Sequence, residues 1–303
     1  MNYKKSIFKG LLAIALLGSL SACEKPILDE EEEESTTTTK EQGSNKQDSK
    51  GNVVIRVTNF NLTPITKAVV DLTTYCTRLN YVLYKDGNKV VGKSQLKENA
   101  DFGEMTMTVD PGTYKLLVLA HSSTNGNPTL SDPENIQFTN KLGYSDTFYY
   151  YGDLEVTSEP KTHELTLTRA STLLKFIITD EIPENVTNIY IHYTGGSGVL
   201  NAVTGYGGNV DSRQEKNAKI QGYSSPLSIR IYTFLQSDEG YLNLKVEARD
   251  ANNNNNVVLS REFEHINVKR NCVTEYEGSF FSHENSLTLL ADTAWNDTLH
   301  YNY

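Results

Sequence analysis

Residues 52–303 predict an all-β chain of two β-sandwiches in tandem. Apolar residues recur with a period of two, the helical period hardly appears, and turn chemistry cuts the chain into short runs. Val53, Ile55 and Val57 alternate with Arg56 and Thr58. Tyr81-Val82-Leu83-Tyr84 and Val90-Val91 flank Asp86-Gly87, a hairpin signal because both central residues of a tight primed turn need positive φ. Met105, Met107 and Val109 alternate with Thr106 and Thr108, and Asp110-Pro111-Gly112 leads into the next strand. Tyr114–Ala120, Leu173–Ile178 and Ile229–Leu235 are apolar on both faces and suit strands in the middle of a sandwich. Leu242, Leu244, Val246 and Ala248 alternate with polar residues, and Asn252–Asn256 turns that strand toward Val257. Leu287–Leu290, ahead of Trp295 and the Tyr301-Asn302-Tyr303 end, reads as a last strand or a segment offered to a partner.

The strands fall into halves at 52–168 and 169–303. Leu165-Thr166-Leu167-Thr168-Arg169-Ala170 runs directly into Leu173-Leu174-Lys175-Phe176, so the expected boundary carries no Pro/Gly linker. Gly195-Gly196-Ser197-Gly198 and Gly205-Tyr206-Gly207-Gly208 read as long hairpin loops. The first lacks the register of a nucleophile elbow, and the second lacks the Lys-Ser/Thr of a phosphate loop.

The chain start is of another kind. Lys4, Lys5 and Lys9 precede an apolar run from Leu11 to Leu20, then Leu20-Ser21-Ala22-Cys23. A basic segment, a short apolar core and a small-residue cleavage site make a secretory signal over 1–22. The run is too short for a spanning helix, which needs about 20 apolar residues. A cysteine directly after such a site resembles the bacterial lipobox. That resemblance implies a diacylglycerol on Cys23 and a further acyl chain, such as palmitate, on the new amino terminus. Two or more acyl chains hold a protein stably on a membrane, where one does so only marginally. Residues 23–51, with six consecutive acids from Asp29 to Glu34 and a polar stretch Lys40–Lys50, have almost nothing to bury. They read as a disordered, self-repelling tether. Acids soon after the lipidated cysteine also resemble the signal that sends lipoproteins of Bacteroidetes-type bacteria to the outer face of the outer membrane.

The formal net charge of -10 over 303 residues argues against nucleic acid, which wants clustered Lys and Arg. Apart from Cys23 only Cys76 and Cys272 remain. An exported chain can oxidise such a pair, but their separation favours two buried thiols. His121, His163, His192, His265, His283 and His300 have no zinc-ligand spacing, and no cofactor or metal pattern is present. Asp180-Glu181 and Asp250 have the chemistry of acid catalysis or calcium binding, yet Asp180-Glu181-Ile182-Pro183 reads better as a strand end entering a turn. No catalytic signature is found, and a non-enzymatic protein is expected. Eighteen tyrosines are many for this length. They pair across strands or stack on sugars, and Tyr149, Tyr150 and Tyr206 are the stacking candidates. Asp292-Thr293-Ala294 and Asp297-Thr298-Leu299 resemble a short bacterial O-glycosylation acceptor, placing candidates at Thr293 and Thr298.

Several stretches, taken in order, resemble the fimbrial anchor (fimbrillin-associated minor subunit) lipoproteins of Bacteroidetes. They are the lipobox and acidic tether, Cys76–Tyr84 with Asp86-Gly87, Pro111–His121, Asp146–Tyr149, Leu165–Ala170, Leu174–Asp180 and Asn271–Phe281. The resemblance implies two transthyretin-like sandwiches and a role in fixing a fimbrial shaft subunit to the outer membrane by strand pairing. The other function the residues allow is a surface glycan-binding lipoprotein.

Overall fold

The computed structural model describes residues 50–61, 71–208, 213–282 and 287–290. Among them the single helical element is a 3-10 turn, Leu72–Thr74, capped by the Asp71 carboxylate. The first strands are β1 (Gly51–Asn61), β2 (Arg78–Lys85), β3 (Asn88–Leu96), β4 (Glu104–Val109), β5 (Gly112–His121), β6 (Ile136–Gln137), β7 (Thr147–Val156) and β8 (Lys161–Arg169). There follow β9 (Thr172–Ile178), β10 (Asn188–Thr194), β11 (Val199–Asn201), β12 (Tyr206–Gly207), β13 (Gln214–Lys219), β14 (Leu227–Thr233), β15 (Glu239–Asp250), β16 (Asn256–Lys269), β17 (Val273–Gly278) and β18 (Leu287–Leu290). The all-β sandwich expectation holds.

Seven strands form one sheet in the order β3-β2-β5-β7-β8-β1-β4. Asp86 (φ 50) and Gly87 (φ 77) make the β2–β3 turn of the primed kind. β7 and β8 pair only at Phe148↔Arg169 and Tyr149↔Thr168. Over that short hinge the sheet folds on itself, so β3-β2-β5-β7 faces β8-β1-β4. Between the layers lie Val53, Ile55 and Val57 of β1, Met105 and Met107 of β4, Leu79, Tyr81 and Leu83 of β2, and Phe148 of β7. These are the inward positions of each alternation, as a half-buried strand requires.

In the second half, the sheet β13-β10-β15-β16 covers the sheet β14-β9-β17-β18. Phe176, Ile178, Ile189, Ile191, Leu244, Val246 and Phe280 fill the space between. A third layer of contact joins the halves. β11 pairs with β6 from the first half and with β12 from its own. Val82, Tyr84, Leu117 and Leu119 pack there with Phe138, Leu200 and Phe234. This third core explains why β2 and β5 are apolar on both faces.

Candidate functional site

The features that can meet a partner are sheet edges, and each edge is built differently. Outer strands β3 and β4 lie side by side and are bridged by side chains. Lys93 Nζ donates to the Thr106 carbonyl at 2.8 Å. Buried Gln95 donates to the carbonyls of Asp101 (2.9 Å) and Glu104 (2.7 Å) and accepts from Gly103 N–H (3.1 Å). These two edges cover each other. β16 is the longest strand and ends its sheet, yet its pairing with β15 breaks register at Leu242/Leu244 and Ala248/Arg249. His265 sits at the first break with φ 56, its N–H held by Asn243 Oδ1 at 2.9 Å. Such bulges, with Arg261, Glu262 and Glu264 alongside, blunt an edge against further pairing. β14 has no bulge, pairing with β9 without a break from Leu227↔Ile178 to Thr233↔Thr172. Its far end is covered, because Tyr193 Oη donates to the Tyr232 carbonyl at 3.1 Å and Thr233 Oγ1 donates to Gln214 Oε1 of β13 at 2.6 Å, which leaves Leu227–Ile231 as its regular stretch.

Where the halves meet, a polar knot replaces the linker. Arg169, 3% exposed, donates through Nε to Asp146 Oδ1 (3.0 Å) and through Nη2 to Oδ2 (3.1 Å). Its Nη1 reaches Asn271 Oδ1 at 3.3 Å, and its guanidinium lies 4.6 Å from the Phe148 ring centre. Ser171 Oγ donates to the same carboxylate at 2.8 Å and accepts from Thr147 N–H at 3.1 Å. Bidentate geometry with every carboxylate oxygen engaged is what lets an ion pair survive burial. Asp146–Tyr149, Leu165–Ala170 and Asn271–Phe281, which the sequence marks separately, thus share one joint.

The stacking candidates divide. Strand alternation turns Tyr150 toward the first core and Tyr149 toward the third. Tyr149 and Tyr206 do converge, at Gly205. That residue has φ +79, and a Cβ there would lie 1.9 Å from Tyr149 Oη. Tyr206 donates to Asp238 Oδ1 at 3.0 Å and stacks on the Arg270 guanidinium at 4.5 Å. All three tyrosines are partly buried, whereas among the described residues Tyr223 and Tyr241, at 65% and 56%, are the exposed tyrosines. Tyr223 stands between Gly222 and Ser224 and Tyr241 between Gly240 and Leu242, and neither carries a sequence signal beyond alternation.

Asp180 serves the chain itself. Its carboxylate accepts from the N–H groups of Phe280 (2.8 Å), Phe281 (2.6 Å) and Ser282 (2.7 Å), fixing the turn after β17. Gly205-Tyr206-Gly207-Gly208 does belong to a hairpin, β11–β12, closed by Gly205 N–H on the Asn201 carbonyl, whereas Gly195-Gly196 is a close-packed seam and not an open hairpin loop. Gly195 (φ +94) lies against the Tyr241 carbonyl and Gly196 against Thr233 Oγ1, where Cβ atoms would stand at 2.0 and 1.9 Å. Cys76 and Cys272 are separate buried thiols, and burial pushes the Cys76 thiol up to about 12. His121 is buried, with Nε2 3.0 Å from Asn80 Oδ1 and Nδ1 accepting from Ser123 N–H. Among the described residues no three His, Cys, Asp or Glu side chains converge as metal ligands. Cys23, the tether before residue 50, Thr293 and Thr298 lie outside the described residues.

No curated protein matches the chain. Solved structures resemble it at low identity. A candidate adhesin from Bacteroides ovatus shares 15% identity at a TM-score of 0.49, covering 71% of this chain and 82% of its own. A fimbrial assembly protein from Parabacteroides distasonis shares 11% at 0.40, over 80% and 94%. A fimbrial anchor protein from Porphyromonas gingivalis, the kind of protein the sequence resembles, shares 10% at 0.42, over 84% and 100%. Residues 42–302 match the profile of a family of unknown function, DUF6562, and the chain belongs to that family.

Proposed function

We propose that this chain is a non-catalytic, surface-exposed outer-membrane lipoprotein that anchors or terminates a fimbrium by pairing strands with a neighbouring subunit. The order of parts along the chain carries the reading. A lipobox-like Leu20-Ser21-Ala22-Cys23 comes first, an acidic spacer to residue 51 second, and an all-β body with sheet edges third. Lipid on Cys23 gives attachment and the spacer gives reach. Strand addition draws its affinity from main-chain hydrogen bonds and its specificity from side-chain pockets.

The edges differ in fitness for that task. β3 and β4 are bridged to each other and β16 is bulged and charged, so of these four edges β14, over the unbroken stretch Leu227–Ile231, is the one best suited to receive a strand. A regular unprotected edge is otherwise an aggregation hazard, and pairing within a fimbrium removes it.

Deleting the gene in its native host tests the proposal. Fimbriae shed into the medium are the expected result, and normal-length fimbriae retained on the cells would overturn it. A Cys23→Ala chain should take up no radiolabelled palmitate and should reproduce the shedding.

A further inference from the structure

The solvent face of the sheet β13-β10-β15-β16 carries a cleft of about 490 Å³ that no strand edge explains. Its polar lining comes from four places: His192 on β10, Arg213 just before β13, Asn243 and Lys245 on β15, and Glu262 and Glu264 on β16. Arg213 and Lys245 are offset by Glu262 and Glu264, so the walls carry no net charge. A neutral mixture of N–H donors and carboxylate acceptors does not select an ion. It matches a ligand whose groups both donate and accept, and sugar hydroxyls are of that kind.

The lining is held in place from behind. His192 Nδ1 faces Arg213 Nε at 3.0 Å and Glu215 Oε1 at 3.2 Å. Glu215 accepts in turn from Tyr190 Oη at 2.5 Å, and Glu247 holds Lys245 at 3.1 Å. Burial and Arg213 lower the His192 pKa, which keeps the ring neutral near pH 7. Asn243 spends its oxygen on His265 N–H, which points its amide. Beside the cleft, on the same face of β15 as Asn243 and Lys245, stands Tyr241, 56% exposed, its ring centre 5.9 Å from that of His265 in a T-shaped pair. An exposed flat ring next to donors and acceptors is the usual means of holding a pyranose by its apolar face.

We infer that this cleft, with Tyr241 as its platform, binds a neutral oligosaccharide. The site uses a sheet face, whereas fimbrial pairing uses a sheet edge, so either can fail without the other. It does not draw on Tyr149, Tyr150 or Tyr206.

The detergent-solubilised full chain should be applied to an array of neutral, uronic and sulfated glycans, with hits measured by calorimetry. At least one neutral glycan should bind. Tyr241→Ala and Lys245→Met should each weaken it about tenfold, and Tyr223→Ala by less than about twofold. Tyr241 and Tyr223 are solvent-facing, so the melting temperatures of those variants should match the parent, whereas Lys245→Met, which leaves the buried Glu247 to Arg249 alone, should melt earlier. Binding to anionic glycans alone, to nothing on the array, or undiminished in Tyr241→Ala and Lys245→Met would each overturn the inference.

Discussion

At the scale of single residues, the buried polar groups carry the most consequence. Asp146 is the carboxylate on which Arg169 and Ser171 converge. Removing one partner of a buried ion pair costs about 3–5 kcal/mol, because the other charge stays behind desolvated. Asp146→Ala should fall at the low end, about 3 kcal/mol, since Asn271 and the Phe148 ring still face the guanidinium. A urea midpoint displaced by that amount at constant slope is the check. A shift under about 1 kcal/mol would mean the knot is incidental. His121 adds a dependence on pH. Burial, aided by Arg78, holds its pKa down to about 4 from 6.5. Between those values the unfolded chain binds a proton that the folded one refuses, so stability rises with pH. Acidifying from pH 6.5 to 4 should remove about 2–3 kcal/mol through this group. A His121→Gln variant should lose that part of the slope, and an unchanged slope would show that other groups carry it.

At the scale of elements, the strands were largely legible and the seams were not. Alternation in Val53–Val57, Met105–Val109 and Leu242–Ala248, with turn chemistry at Asp86-Gly87, placed strands that the structure contains. What alternation cannot report is which layer buries a face. Tyr114–Ala120 reads as the middle of a sandwich, but its second apolar face is covered by the third core. For the same reason Gly195–Gly198 reads as a loop. A glycine needed for positive φ and one needed because a carbonyl lies where Cβ would be look identical in sequence. The structure separates them, and so can mutation. Gly222 has φ +84 with nothing near the Cβ position, whereas Gly195 has φ +94 and the Tyr241 carbonyl 2.0 Å away. Gly222→Ala should cost about 1 kcal/mol of backbone strain. Gly195→Ala must also displace β15, and about 3 kcal/mol or more is expected. Equal losses in thermal unfolding would refute the packing account. The stacking candidates failed to fall on one face for a simpler reason: neighbours on β7 must point to opposite sides.

At the scale of the whole molecule, the question is whether the halves act as one body. The cores around β1 and β9 are distinct, but Phe138 and Phe234 meet at 5.3 Å and His121 lies 5.8 Å from Phe138. Ile136 pairs with Leu200 across the joint, and the Arg169 knot adds charge-assisted bonds. An interface with its own apolar core, a ladder and a buried ion pair couples what it joins more tightly than a polar domain contact does. The anchoring role proposed above needs that coupling, because tension between a lipid and a shaft would pass through the joint. Residues 50–290 should therefore unfold in a single transition, with calorimetric and van't Hoff enthalpies equal. A ratio near two would mean that the halves melt separately and that the boundary at 168/169 is also a mechanical one. Phe138→Ala sharpens the test. Emptying a buried ring costs about 3–5 kcal/mol, and since this ring belongs to neither sandwich core, the loss falls on the coupling. The expected trace is one peak for the parent and two for the variant. A variant that stays single while melting earlier would place the coupling in the Arg169 knot, where Asp146→Ala should then split the peak.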